Sequence, residues 1–264
     1  MLYQQKSGSG PTIIFIHGNS QSSAIWDGLI NERALAGYTL ACLDLPGHGQ
    51  SFHSNASEKD YTLKGMADLL KEFLLKTYTE QYIIVASSLG TNMIAEVITQ
   101  LPQCKGLVLT GTCVMGSKFT VPEIVQPNPH FGVTFAVSPT DEELEGFLGT
   151  WAVRIEGELK QRCIRMFRET DPELRIQMGI AIAEGDWSDE VGNLEQLTYP
   201  VAVVYGKDER IIFPEYLKRS AINIWKGNVI TIPGAGHCCQ LDQPEVLAEL
   251  IRQYASEIFK SADS

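Results

Sequence analysis

The chain has 264 residues, 44% hydrophobic and 20% charged, which suits one large core carrying at most a modest insertion. Lys and Arg number 21 against 32 Asp and Glu, and the resulting net charge of −11 repels phosphate backbones and anionic membrane surfaces. Nucleic acid and membranes are therefore not expected as partners; the segment "MLYQQKSGSGPTIIFIHG" also lacks the features of a secretory signal, no apolar run is long enough to span a bilayer, and a cytoplasmic protein is expected.

Six short β-rich runs follow in order: "TIIFIH" (12–17), "TLACLD" (39–44), "YIIVAS" (82–87), "GLVLTG" (106–111), "VAVVYG" (201–206) and "VITIPG" (229–234). Each is continuous rather than alternating, as strands covered on both faces must be. Helical patterns lie between several of them. Residues 61–78 place Leu63, Met66, Leu70, Phe73 and Leu74 at helical spacing, and residues 243–259 do the same with Val246, Leu247, Leu250, Ile251, Tyr254 and Ile258. Alternating strands and helices predict an α/β fold with a mainly parallel sheet flanked by helices. From about 115 to 197 no buried-strand run appears. That stretch holds helical segments instead, at 140–151 with Thr140 as N-cap and Glu143 three residues on, and at 170–187 with Pro172 in its first turn. The expected organisation is a core of residues 1–114 and 198–264 with a helical cap, or lid, at 115–197.

The six cysteines, Cys42, Cys104, Cys113, Cys163, Cys238 and Cys239, have no C-x-x-C spacing and read as buried reduced thiols. No metal is expected. The "GSG" at 8–10 is a turn rather than a phosphate loop, because no lysine or helix start follows it, and no cofactor is expected either.

In "IIVASSLGTN" (83–92) two serines sit between a buried strand and a helix. An N-cap is the ordinary reading of such a serine. A nucleophile on a sharp strand-to-helix turn needs small residues two positions before and two after, so that strand and helix can approach. Ser88 has Ala86 and Gly90 there, whereas Ser87 has Val85 and Leu89, so Ser88 is the candidate.

"ASSLG" resembles the G-x-S-x-G nucleophile elbow of the α/β-hydrolase superfamily, with Ala86 in place of the first glycine. "FIHGNS" (15–20) resembles its oxyanion loop and "LDLPGHGQS" (43–51) its D-x-x-G-x-G-x-S stretch. "YGKDERIIFP" (205–214) is similar to the loop carrying the catalytic acid, and "GAGHCCQLDQPE" (234–245) to the one carrying the histidine. The resemblance spans most of the chain. It implies an α/β-hydrolase fold with a helical cap insertion, and a leading hairpin reduced to one strand near residues 2–5.

It also implies roles. Ser88 needs a base, and His237 is the candidate, on a loop after the last strand where an imidazole can reach the sheet's carboxyl edge. His17 is expected to shape the oxyanion loop and His48 a neighbouring turn, with His53 and His130 at the surface. The acid is Glu209, three residues after Gly206, with the adjacent Asp208 as the alternative. The oxyanion hole falls to the backbone amides of Asn19 and Leu89. A thiol nucleophile at Cys238 or Cys239 lacks an elbow. Trp151, Phe135, Phe147 and Met115, with Phe131, Met166 and Met178, suit the lining of an acyl pocket or, equally, the cap's own core. The implied activity is hydrolysis of a small carboxylic ester or lactone through an acyl-enzyme, with a similarity to N-acylhomoserine lactonases. Carbon–carbon bond hydrolysis, acyl transfer and a non-catalytic ligand receptor on the same fold remain open at this point.

Overall fold

The structure is a computed structural model and describes residues 1–262. Its strands are β1 (Gln4–Gly8), β2 (Thr12–Ile16), β3 (Thr39–Leu43), β4 (Tyr82–Ser87), β5 (Cys104–Thr110), β6 (Val201–Gly206) and β7 (Ile230–Ile232). They form a seven-stranded sheet in the order β1-β3-β2-β4-β5-β6-β7. β1 pairs antiparallel with β3, and every other neighbouring pair is parallel. The continuous apolar runs explain the interior strands. β3, β4 and β6 are buried along their whole length, as a sheet with helices on both faces requires.

The leading strand lies at 4–8 rather than near 2–5. "QQKSG" is almost wholly exposed and offers no hydrophobic pattern to read, so its register, Gln4 on Leu43 through Gly8 on Thr39, comes from backbone pairing with β3. The turn that follows is tight. Gly8 and Gly10 have φ of +80° and +116°, and a Cβ on either would collide with the Tyr38 or Gly37 carbonyl.

Among the helices of six or more residues, α1 (Leu63–Thr77) is capped by the Thr62 hydroxyl, which accepts from the Gly65 amide, and buries Leu63, Met66, Leu70 and Leu74. α2 (Leu89–Val97) leaves β4 almost directly and is buried at every position. Between β5 and β6 come α3 (Asp141–Leu148), α4 (Gly157–Glu169), α5 (Pro172–Glu184) and α6 (Glu190–Glu195), with no sheet strand among the described residues. α3 carries the Thr140–Glu143 capping box, and α5 opens on the Asp171 side chain and closes at Gly185, φ +73°. α4 is hard to see in sequence because six of the 13 residues of "GELKQRCIRMFRE" are charged and it buries only Cys163, Met166 and Phe167. α6 packs on α2, where Asn193 Nδ2 donates to the Ala95 carbonyl at 2.9 Å. α7 (Pro244–Ala262) ends the fold.

This topology fixes where a site can form. The chain leaves β2 toward β3 and leaves β4 toward β5, so the connections diverge and open a crevice at the carboxyl ends of β2 and β4.

Candidate active site

Ser88 stands at the crevice, between β4 and α2, with φ 49° and ψ −122°. A side-chain-bearing residue adopts such a backbone only when its surroundings enforce it. Here they do: the Ser88 amide donates to the Thr110 carbonyl at 3.0 Å, and the Ser88 carbonyl accepts from the Thr91 amide and hydroxyl at 2.7 and 2.6 Å. Although Ser88 occupies the N-cap position, its hydroxyl makes no cap bond. Ser87, by contrast, is fully buried, with its hydroxyl turned into the protein. The small flanking residues have a visible reason. A Cβ on Gly90 would lie 2.6 Å from the His17 carbonyl oxygen and 2.8 Å from that of Ile16, and Ala86 is packed between Ile16 and Leu109.

Across the crevice, β6 ends at Gly206, against which the Ala235 and Gly236 carbonyls pack so closely that no Cβ fits. The turn after it sends Asp208 to the surface and Glu209 inward. Glu209 Oε2 accepts from His237 Nδ1 at 2.8 Å, and both side chains are almost inaccessible, 2% and 3% exposed. Glu209 Oε1 accepts from the amides of Ile211 and Ile212 at 2.8 and 3.3 Å. Burial by itself raises this carboxyl's pKa, but the His237 charge and hydrogen bond, with the two amides, outweigh it and hold the group below the ordinary value. A carboxylate can only accept, so the His237 proton sits on Nδ1 and Nε2 is left as an acceptor. The histidine's loop is held from several sides. Gly111, φ +53°, leaves no room for a Cβ beside the ring, Cys238 N donates to the Trp151 carbonyl at 2.6 Å, and Asp242 accepts from the amides of Gly236 and Val153.

The loop after β2 carries Asn19. Neither its amide nor that of Leu89 has a protein acceptor among the described residues. His17 and His48 support this loop: His17 Nε2 accepts from the Leu45 amide at 3.0 Å, and His48 Nε2 accepts from the Ser20 amide at 3.1 Å. Burial lowers the pKa of both rings, well below the ordinary value for His48, so they act here as neutral connectors. His53 is half exposed beside Asp171, and neither it nor His130 lines the cavity.

That cavity, of about 300 Å³, opens onto Ser88, Leu89, Asn19 and His237. Met115, Phe131, Phe135, Phe147, Trp151 and Met178 form walls, whereas Met166 packs elsewhere in the interior. Phe147 and Trp151 are 4% and 2% exposed and meet edge to face, so they are packed interior and cavity wall at once. Apart from His237, no acidic or basic side chain lines the space. Sequence reading missed Asn92 and Cys113 on its floor. Asn92 was within reach, one helical turn beyond Ser88; Cys113, whose thiol donates to Asn92 Oδ1 at 3.0 Å, carried no signal. Burial pushes Cys113 and Cys239 up to about 12 and Cys238 well above the ordinary thiol, so none is poised as a thiolate.

A parallel sheet with an antiparallel first strand, a strained serine elbow after β4 and a buried carboxylate–histidine pair across the crevice define an α/β-hydrolase. The family model for the alpha/beta hydrolase family matches residues 13–250, and the chain belongs to that family. Over nearly its whole length it is similar to a pimeloyl-[acyl-carrier protein] methyl ester esterase of Xanthomonas oryzae pv. oryzae, 25% identical across 95% of this chain and 97% of that one. A dihydrolipoyllysine-residue acetyltransferase component of an acetoin cleaving system from Cupriavidus necator is 37% identical, but over only 38% of this chain, which spans about a quarter, 26%, of that protein. Among solved structures, the N-acyl homoserine lactonase AidH, in a serine-to-glycine variant complexed with N-hexanoyl homoserine lactone, superposes with a TM-score of 0.90 at 21% identity, covering 98% of this chain and 95% of that one. An esterase from Exiguobacterium antarcticum gives 0.77 at 18% identity, covering 97% and 95%. Among the described residues, no helix is long and apolar enough to cross a membrane.

Proposed function

We propose that the protein is a serine hydrolase of small, uncharged carboxylic esters or lactones, with N-acylhomoserine lactones as the sharpest form of the substrate class. One observation carries this reading: His237, hydrogen-bonded to the buried Glu209, borders the same apolar cavity as the strained Ser88. His237 Nε2 takes the Ser88 proton as Oγ attacks the carbonyl, and Glu209 stabilises the imidazolium. The Asn19 and Leu89 amides hold the oxyanion, the Leu89 amide lying at the N-terminus of α2. His237 then protonates the leaving alcohol, and a water that it activates releases the acid.

The cavity supports the substrate class. Its volume of about 300 Å³ takes a small ring with a short acyl chain, and its uncharged walls favour a neutral ligand over an ionised acid. The likeness to AidH bound to N-hexanoyl homoserine lactone supports the same choice. We assign the helices between β5 and β6, from about residue 115, the part of a lid that shapes the acyl pocket and excludes water. The six unpaired cysteines fit a reducing compartment, the cytoplasm.

The test is turnover of acylhomoserine lactones of several chain lengths, followed by proton release, beside nitrophenyl esters. Lactone opening is expected, fastest for chains that fill the cavity. Ester turnover without lactone opening leaves a carboxylesterase, and turnover of neither favours a carbon–carbon hydrolase or a receptor.

A further inference from the structure

α5 carries Arg175, which is 2% exposed and has no carboxylate among its hydrogen-bond partners. Its Nε donates to the Ala136 carbonyl at 2.7 Å, its two terminal nitrogens donate to the Val137 and Phe167 carbonyls at 3.4 and 3.2 Å, and one of them also reaches Ser20 Oγ at 3.4 Å. The guanidinium lies over the Phe167 ring, 4.3 Å from its centroid. The carboxylate one turn earlier, Asp171, is occupied by the Tyr61 hydroxyl at 2.8 Å. Burial lowers the Arg175 pKa to about 10, which leaves it protonated at neutral pH. Taking a cation out of water without a paired anion is costly, so its placement calls for a local use.

Its neighbours suggest one. Ser20 follows Asn19 directly, is fully buried, and holds φ at 56°, a backbone that a residue with a side chain rarely adopts. The Ser20 hydroxyl accepts from Arg175 and donates to Asn19 Oδ1 at 3.2 Å, while Asn19 Nδ2 donates to the Thr134 carbonyl at 3.0 Å. A single chain of hydrogen bonds thus runs from a cation on α5, through the loop after β2, to the residues at 134–137 that the same cation also grips. We propose that Arg175 is a positioning residue for the oxyanion hole, locking Ser20 and Asn19 in the conformation that presents the Asn19 amide. The hole is then complete only while the helical segment carrying Arg175 is docked on the sheet. This proposal rests on the serine-hydrolase reading above.

The test compares two inhibitors of one acyl chain length, a trifluoromethyl ketone and its methyl ketone. Ser88 Oγ adds to the activated carbonyl, its proton passes to His237, and the carbonyl oxygen becomes an oxyanion; the methyl ketone binds without that step. Arg175→Met is expected to weaken the trifluoromethyl ketone by ~10–100-fold and to lower kcat similarly, with methyl ketone binding and KM changed by less than ~3-fold. Arg175→Lys, which keeps the charge but not the fork, should recover part of the loss. Ser20→Gly, which suits the positive φ and removes the side chain with its hydroxyl, should weaken the trifluoromethyl ketone by ~3–10-fold and add little to Arg175→Met. It carries the test if Arg175→Met does not fold. Equal weakening of both ketones, full additivity, or unchanged discrimination overturns the role of Arg175. A wild-type protein that turns over no ester and binds both ketones alike overturns instead the reading on which it rests.

Discussion

Around Ser88 and Glu209 backbone meets backbone: a Cβ at Gly90 would touch the His17 carbonyl, and one at Gly206 would overlap the carbonyls before His237. Around Trp151 and Phe147 the cavity is bounded by ring edges and thioethers from the segments between β5 and β6, which also use those rings for their own packing. The first region has almost no freedom in residue type, while the second asks only for apolar side chains of adequate volume. Chemistry is therefore expected to be brittle on the sheet side, and specificity adjustable on the helical side.

The largest effect should come from the elbow: Ser88→Ala is expected to lower kcat by up to ~10⁶-fold in a protein that keeps its thermal midpoint. Next, Glu209→Gln should cost on the order of 10⁴-fold, because an amide beside Nδ1 favours the wrong tautomer of His237. Asp208→Asn, at an exposed position, should leave kcat within ~3-fold. Reversal of that ranking would move the acid's role to Asp208. On the helical side the expected change is in selectivity. Trp151→Ala should raise KM for hexanoyl substrates ~10-fold more than for acetyl esters, through lost apolar contact. Equal effects at both chain lengths would confine Trp151 to internal packing.

The smallest expected effect lies below the cavity floor, where the Glu190 carboxylate accepts from Asn92 and from the Met115 amide at 2.8 and 2.6 Å. Burial, reinforced by the neighbouring Glu96, pushes the Glu190 carboxyl well above the ordinary range. The unfolded chain releases that proton near the ordinary value and the native state holds it to higher pH, so stability is lost as pH rises through the folded pKa. Glu190→Gln keeps an acceptor oxygen and has no proton to lose. Its melting temperature should gain on the wild type as pH rises above about 5, and a constant difference across pH would contradict this.

How much of this was legible in the sequence follows the same division. The interior strands are legible as continuous apolar runs and Ser88 through the small residues Ala86 and Gly90 that backbone crowding demands, whereas Glu209 and His237 are legible only through the resemblance of their loops to the family's. β1 was misplaced because an exposed polar edge strand, "QQKSG", takes its register from its partner. α4 is hidden by its charged sequence, and the floor residues Asn92 and Cys113 because side chains distant in sequence hold them, Glu190 for Asn92 and Asn92 for Cys113. Arg175 looks in sequence like any helical surface charge. Only tertiary packing shows it buried against carbonyls from two other segments.

The central claim is a covalent intermediate on Ser88, and rapid acid quenching during turnover of a nitrophenyl ester, followed by peptide mass mapping, tests it most directly. The account predicts a burst of nitrophenol equal to the enzyme concentration and an acyl group on Ser88 alone. An acyl group on Ser87, Cys113 or Cys238, wild-type turnover with no acylated peptide, or undiminished turnover by Ser88→Ala would contradict it.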